Sequence, residues 1–189
     1  MRADAEKGSA AMEFAIVAPV FFAILMGIFE AGVIFFSQSL LQNAVNDMGR
    51  MVRTGQACYA SNAAGQCTAS MSRADFITNV CNTAGLLLVN CVGNLKLDVE
   101  VPAGGFTALT APLIPGAPRP VFNDALNNYN IGNACDVVVV RAFYEWPLWT
   151  PGLSTFMANM TVSGGGAGHL LAAAAAFRNE PFVAAVAGC

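Results

Sequence analysis

The chain has 189 residues, nine basic and twelve acidic side chains, a net charge of −3 and only 11% charged residues. Its mean hydropathy, +0.54, is high for a wholly water-soluble protein, and no basic patch stands out that would serve as a nucleic-acid surface. The length suits one ordinary domain, or one membrane helix followed by a domain of roughly 130 residues.

The first eight residues crowd together Arg2, Asp4, Glu6 and Lys7 and end in Gly8; between Phe14 and Asn46 the only charge is Glu30. As a helix rising about 1.5 Å per residue, Phe14–Phe36 is roughly 34 Å long, enough to cross a bilayer's hydrocarbon core. A secretory signal peptide has a shorter apolar core of about 7–15 residues and a small-x-small cleavage site. Here the pattern continues, with Leu40, Leu41, Ala44, Val45, Met48 and Val52 recurring at helical spacing among polar residues. One helix from about Ala10 to Thr54 is predicted, stopped at Gly55, with Pro19 and Gly27 as points of kinking or loosening. Its amphipathic upper half requires a partner, either the chain's own domain or a neighbouring chain.

Two carboxylates, Glu13 and Glu30, mark this helix. A carboxylate inside a membrane helix costs roughly 2.5–3.5 kcal/mol on insertion scales, so it is paired, functional or at the headgroups. The two lie about 25 Å apart along a helix, which places both near opposite interfaces. Position alone leaves each balanced between a headgroup residue and a functional one.

All six cysteines, Cys58, Cys67, Cys81, Cys91, Cys135 and Cys189, follow the apolar segment. An even count on one side of an anchor points to an oxidising compartment and disulfides, with about fifteen pairings open. Zinc is disfavoured by the lack of any Cys-x-x-Cys pair and by a single histidine. Basic residues flank both ends of the span equally, so the cysteines set the orientation: amino terminus cytoplasmic, carboxyl-terminal domain outside.

Further along, Cys58–Cys67 reads as a polar loop. Ser72 and Asp75 resemble a capping box ahead of a short helix whose apolar face is Phe76, Ile77 and Val80. Asn94–Val101 alternates as a half-buried strand. Pro102–Pro120, with five prolines and three glycines, reads as a long surface loop, and Phe122–Asn133 as irregular. Asp136–Glu145 is a second strand, ended by Trp146-Pro147. Pro151–Asn159 is a loop or short helical turn, and Gly164–Gly168 a bend. The five alanines within His169–Arg178 favour helix on propensity.

Catalytic chemistry finds no foothold. His169 alone makes neither a metal centre nor a triad. The glycines at 164–168 lack the Lys-Ser/Thr of a phosphate loop, Asn159-Met160-Thr161 is a sequon short enough to arise by chance, and the carboxylates do not pair.

The run Lys7-Gly8-Ser9-Ala10-Ala11-Met12-Glu13-Phe14 resembles a type IV prepilin processing site: a charged leader ending in glycine, then an apolar helix with glutamate at mature position five. With Glu13–Val20 and Gly27–Gly32 it is similar to the TadE-type pseudopilins of Tad (Flp) pilus systems. Tyr144–Leu148 and Phe177-Arg178-Asn179-Glu180-Pro181-Phe182 look like the carboxyl-terminal pattern of the same family. The middle, Cys58 to Asn133, matches weakly apart from the Cys81–Cys91 pair and the strand after it.

The resemblance implies cleavage between Gly8 and Ser9 by a prepilin peptidase. It implies that Glu13 pairs with the freed amino terminus of Ser9 on a neighbouring subunit, setting register more than adding stability. It makes Glu30 a membrane carboxylate of implied but unassigned role, and His169–Arg178 a final strand against alanine propensity. It also implies other pilin subunits, an inner-membrane assembly platform and the membrane as partners, with no cofactor and no nucleic acid. Cys58–Cys67 and the proline-rich loop are embellishments, and Cys135–Cys189 is the pairing that remains.

The expected architecture is α+β and pilin-like: a leader (1–8), a long helix (9–55, spanning about 14–36) and a disulfide-containing, small antiparallel-sheet domain (56–189). The domain exceeds that of the small major pilins of such systems, which favours a minor subunit acting in priming, at the tip or at the base, in a single-pass protein of the bacterial inner membrane. Two other classes compete: an unprocessed membrane-anchored binding or scaffold module serving adhesion, and an extracytoplasmic enzyme whose cleft no residue pattern reveals.

Overall fold

The computed structural model describes residues 2–103 and 105–181, excepting the side chains of residues 2–10 and 108. Helix α1 runs from Arg2 to Arg53 and stays a single helix through Pro19 and Gly27. Its far end is closed by Gly55, in the left-handed region at φ +76°. Beyond it come a hairpin of β1 (Cys58–Ser61) and β2 (Cys67–Ser70), helix α2 (Arg73–Ala84) and a single turn α3 (Cys91–Asn94). The sheet strands are β3 (Leu95–Glu100), β4 (Leu113–Ile114), β5 (Val121–Phe122), β6 (Val137–Pro147), β7 (Met160–Thr161) and β8 (Ala167–Arg178). Helix α4 (Leu153–Met157) sits between β6 and β7. Ser72 caps α2 as the sequence suggests: its hydroxyl accepts the Asp75 amide at 3.1 Å and donates to the Asp75 carboxylate at 2.7 Å.

The sheet order is β3-β6-β8-β7-β5-β4, antiparallel except for the single parallel step β5–β7. The α+β expectation holds. Strand β6 runs through Trp146 and Pro147 rather than stopping before them, because β8 pairs with it all the way to Gly168. The proline-rich segment, expected to hold no regular element, contains a 3₁₀ turn at Phe106–Ala108 and the short strand β4. Of Phe122–Asn133, expected to be irregular, Phe122 belongs to β5 and the rest is mostly irregular.

One face of the sheet packs on α1 and α2. Leu97 and Val99 of β3, Val138 and Val140 of β6 and Leu171 of β8 meet Ile34, Leu41, Val45 and Val52 of α1 in one core, all nearly or wholly buried. The opposite face was expected to be open to water. Instead Phe122, Leu126, Phe143, Met160 and Leu170 form a second, smaller core there, under the loop that carries β4 and β5. The supposedly half-buried β3 is therefore covered on both sides, and Asp98 is fully buried. It is tolerated because Arg141, directly opposite on β6, donates to Asp98 Oδ2 from Nη2 at 2.7 Å and from Nε at 3.1 Å. The same guanidinium donates to Glu100 at 2.8 Å and to the Thr110 carbonyl at 2.7 Å. Asp98 Oδ1 accepts both the backbone and side-chain N–H of Asn128. One ion cluster thus fastens both ends of the loop to the sheet.

Disulfides join Cys58 to Cys67 and Cys81 to Cys91. Each closes a loop of about ten residues, worth about 2–3 kcal/mol in the chain-entropy account. Cys135 is disulfide-bonded as well; Cys189 lies outside the described residues, so the Cys135–Cys189 pairing is not described.

Tyr129 lies against Phe76 and donates its hydroxyl to the Met71 carbonyl at 2.8 Å. Burial pushes its phenol up to about 12, reinforced by Tyr59 and Asp75. A phenol that ionises later in the folded than in the unfolded chain contributes stability below pH ~10 and loses it as pH rises towards ~12. In detergent, the midpoint of thermal unfolding is expected to fall across that window, and to fall less steeply in Tyr129→Phe.

The α1–domain junction as candidate functional site

The buried positions of α1 are Ile34, Ser37, Leu41, Ala44, Val45, Met48, Gly49 and Val52. They are spaced by threes and fours and form one stripe, so the amphipathic upper half finds its partner in the chain's own domain. Towards the amino terminus the stripe fades through Ala31, Glu30 and Gly27. Below Gly27, Met12, Phe14, Ile16, Val17, Val20, Phe21 and Ile24 are all exposed. Composition and length make this helix long and apolar enough to cross a membrane.

The alanine run of β8 is explained at this junction. The pairing of β8 with β7 ends at Gly168, and among the described residues no strand pairs with the rest of that edge. Helix α1 covers it instead. The Gln38 side-chain amide donates to the Ala172 carbonyl and accepts the Ala172 amide at 3.2 Å. Gln42 does the same at Ala174, at 3.0 and 3.4 Å. Four residues of helix rise about 6 Å and two of strand about 6.6 Å, so two glutamines at i and i+4 stay in step with alternate strand residues. The helix must lie close for this. A Cβ at Gly49 would stand 2.9 Å from the Phe177 ring, and methyl side chains along β8 keep the approach open. Tertiary contact overrides alanine's helical preference here.

Glu30 has a partner that the sequence did not disclose. One carboxylate oxygen accepts the Trp149 amide and the other the Thr150 amide, each at 2.9 Å. Glu30 is a clasp holding the turn after β6 against α1. Directly below, a Cβ at Gly27 would lie 3.8 Å from the Thr150 methyl, so the small residue gives the turn room. Thr150-Pro151-Gly152-Leu153 is a type II turn: Leu153 N–H donates to the Thr150 carbonyl at 3.2 Å, and Gly152 takes φ +83°. That turn launches α4, whose last carbonyl segment is tied to β8 by the His169 ring, Nδ1 standing 2.7 Å from the Met157 oxygen. His169 is a fastener here.

The other end of α1 is held by the carboxyl-terminal motif. The Glu180 amide donates to the Arg53 carbonyl at 2.9 Å, and its side chain pairs with Arg53 at 3.2 Å. Asn179 donates to the Ile131 and Asn133 carbonyls, and Arg178 to that of Cys135. These residues dock the strand end to the helix end.

Gly8 and Ser9 fall inside α1 without described side chains, and Glu13 sits on its exposed stretch, far from Glu30. The two helix carboxylates are not brought together. Among the described residues no group of three His, Cys, Asp or Glu side chains is arranged to hold a metal.

Residues 8–50 match the model of the family described as TadE-like protein. Neither a curated protein nor a solved structure matches the chain. The matched stretch contains Gly8, Ser9, Glu13, Glu30, Gln38 and Gln42, and stops short of the tail motif around Glu180. Through this amino-terminal segment the chain is similar to the TadE-like family.

Proposed function

We propose that the protein is a minor, TadE-type pilin subunit of a Tad pilus machine, acting by assembly rather than catalysis. The observation that carries this reading is the division of α1. From Ile34 onward one face of the helix is buried against its own domain, while the apolar stretch from Met12 to Ile24 is largely exposed. A helix left so largely exposed over this length suits a bilayer first and neighbouring subunits' helices afterwards. The family match over the same residues supports a pilin-related role.

In this reading a prepilin peptidase cuts after Gly8 on the cytoplasmic face, and Ser9 becomes the new amino terminus. Glu13 meets the ammonium of Ser9 on a neighbouring subunit in a medium where each ion alone loses its hydration. Such pairing offsets the loss only in good geometry, so it selects one axial register among many. The cysteine-bearing domain remains periplasmic and primes, tips or bases the pilus.

Mass spectrometry of the mature protein from wild-type and Glu13→Ala cells tests both steps. Ser9 is the expected first residue in each, with normal piliation only in the wild type. Met1 at the amino terminus refutes processing; normal piliation by the variant refutes the register contact.

A further inference from the structure

We propose that Trp149–Met157 is a membrane foot, inserting beside α1 into the outer leaflet of a phospholipid bilayer. The inference rests on α1 spanning that bilayer.

Height along the helix carries it. The foot is clasped at Glu30 and descends from there: Leu153 and Phe156 share an apolar groove with Pro19, Ile24 and Gly27 of α1. Glu30 to Pro19 is about 16 Å of helix. A bilayer that surrounds Pro19–Ile28 therefore surrounds α4 as well, because both occupy the same level. The occupant of the groove is thereby lipid acyl chain.

The chemistry of the segment agrees. Trp149 is 75% exposed and Phe156 87%, and no residue of α4 is buried. No Asp, Glu, Lys or Arg occurs between Trp146 and Phe177, although Arg119 reaches α4 from the proline-rich loop and donates to the Ser154 carbonyl at 3.3 Å. Tryptophan next to a carboxylate suits the headgroup level, where an apolar ring and a polar edge are both accommodated. Phenylalanine further down suits the acyl region. Lipid also requires backbone polar groups to be satisfied internally. Along the foot the Trp149 and Thr150 amides go to Glu30, the Leu153 amide to Thr150, the Thr155 amide to Gly152, and the Met157 carbonyl meets His169. The clasp thus does for the foot what water does for an ordinary surface loop.

Trp146 and Trp149 are the only tryptophans, so full-length Trp146→Phe reports on Trp149 alone and Trp149→Phe on Trp146. Each is reconstituted in phosphatidylcholine–phosphatidylglycerol vesicles whose acyl chains carry bromine near the headgroup or near the chain end. The expected result is blue-shifted Trp149 emission, strongly quenched by the shallow bromines and weakly by the deep ones. Water-like emission that neither lipid quenches overturns the foot while leaving a spanning α1 intact. Blue-shifted, unquenched emission that reverts to water-like on diluting protein in lipid overturns it in favour of a second copy of the chain in the groove. Protein that does not float with the vesicles overturns the spanning reading and the foot together. If Trp146→Phe does not fold, quenching of the wild type minus that of Trp149→Phe supplies the same comparison.

Discussion

Asp98→Ala is expected to destabilise the domain by about 3 kcal/mol, the lower end of the range for breaking a buried pair by removing one partner. The lower end applies because Arg141 keeps Glu100 and the Thr110 carbonyl when Asp98 is gone. For a domain of this size the midpoint of thermal unfolding falls roughly 10 °C. The cost is that of a guanidinium left largely buried with one of its two carboxylates missing, together with two Asn128 N–H groups stripped of their acceptor. Asp98→Asn keeps an acceptor for Asn128 but no charge, and should fall between. Replacing both Asp98 and Arg141 by apolar residues of similar volume should cost less than Asp98→Ala, since no orphaned ion remains. Circular dichroism melts of the detergent-solubilised protein decide it. A double replacement worse than the single one would mean that the cluster is worth more than its desolvation cost.

The fold was legible wherever one short-range rule governed it. The period of α1, the Ser72 cap and the alternation of β3 each follow from neighbours in sequence. What the alternation of β3 could not reveal was the second cover. Asp98 and Glu100 look solvated because their neutraliser, Arg141, is more than forty residues away. The alanines of β8 misled for a related reason. Their propensity is local, whereas their reason for being small is a helix more than 120 residues earlier. Only the family resemblance carried that information.

The candidate site divides the same way. Gly8, Ser9 and Glu13 are legible as a contiguous motif. Glu30 is legible as an anomaly, a carboxylate in an apolar run, but its partners are backbone amides, and backbone carries no sequence signature. The weak signals available were Trp149-Thr150-Pro151-Gly152, a turn after a strand with an aromatic to spare, and the i, i+4 pair Gln38 and Gln42 on an otherwise apolar face.

Glu30→Ala is the second large effect expected, and unlike Asp98→Ala it should be local. The substitution removes two charge-assisted acceptors worth about 1.5–3 kcal/mol apiece; with one of the two bonds open to solvent, about 2–4 kcal/mol in total is a reasonable loss. The core from Ile34 to Val52 and the glutamine contacts to β8 do not pass through Glu30, so global unfolding changes little. Hydrogen exchange at the Trp149 and Thr150 amides should quicken by roughly thirty- to several-hundred-fold, while amides of β6 and β8 keep their protection. Glu30→Gln offers one acceptor oxygen in place of two, and should free one amide more than the other. Equal acceleration throughout the domain would make Glu30 a general stabiliser. No acceleration at either amide would mean that the turn is held by the Pro151–Gly152 geometry and the His169 contact, with Glu30 merely lying alongside.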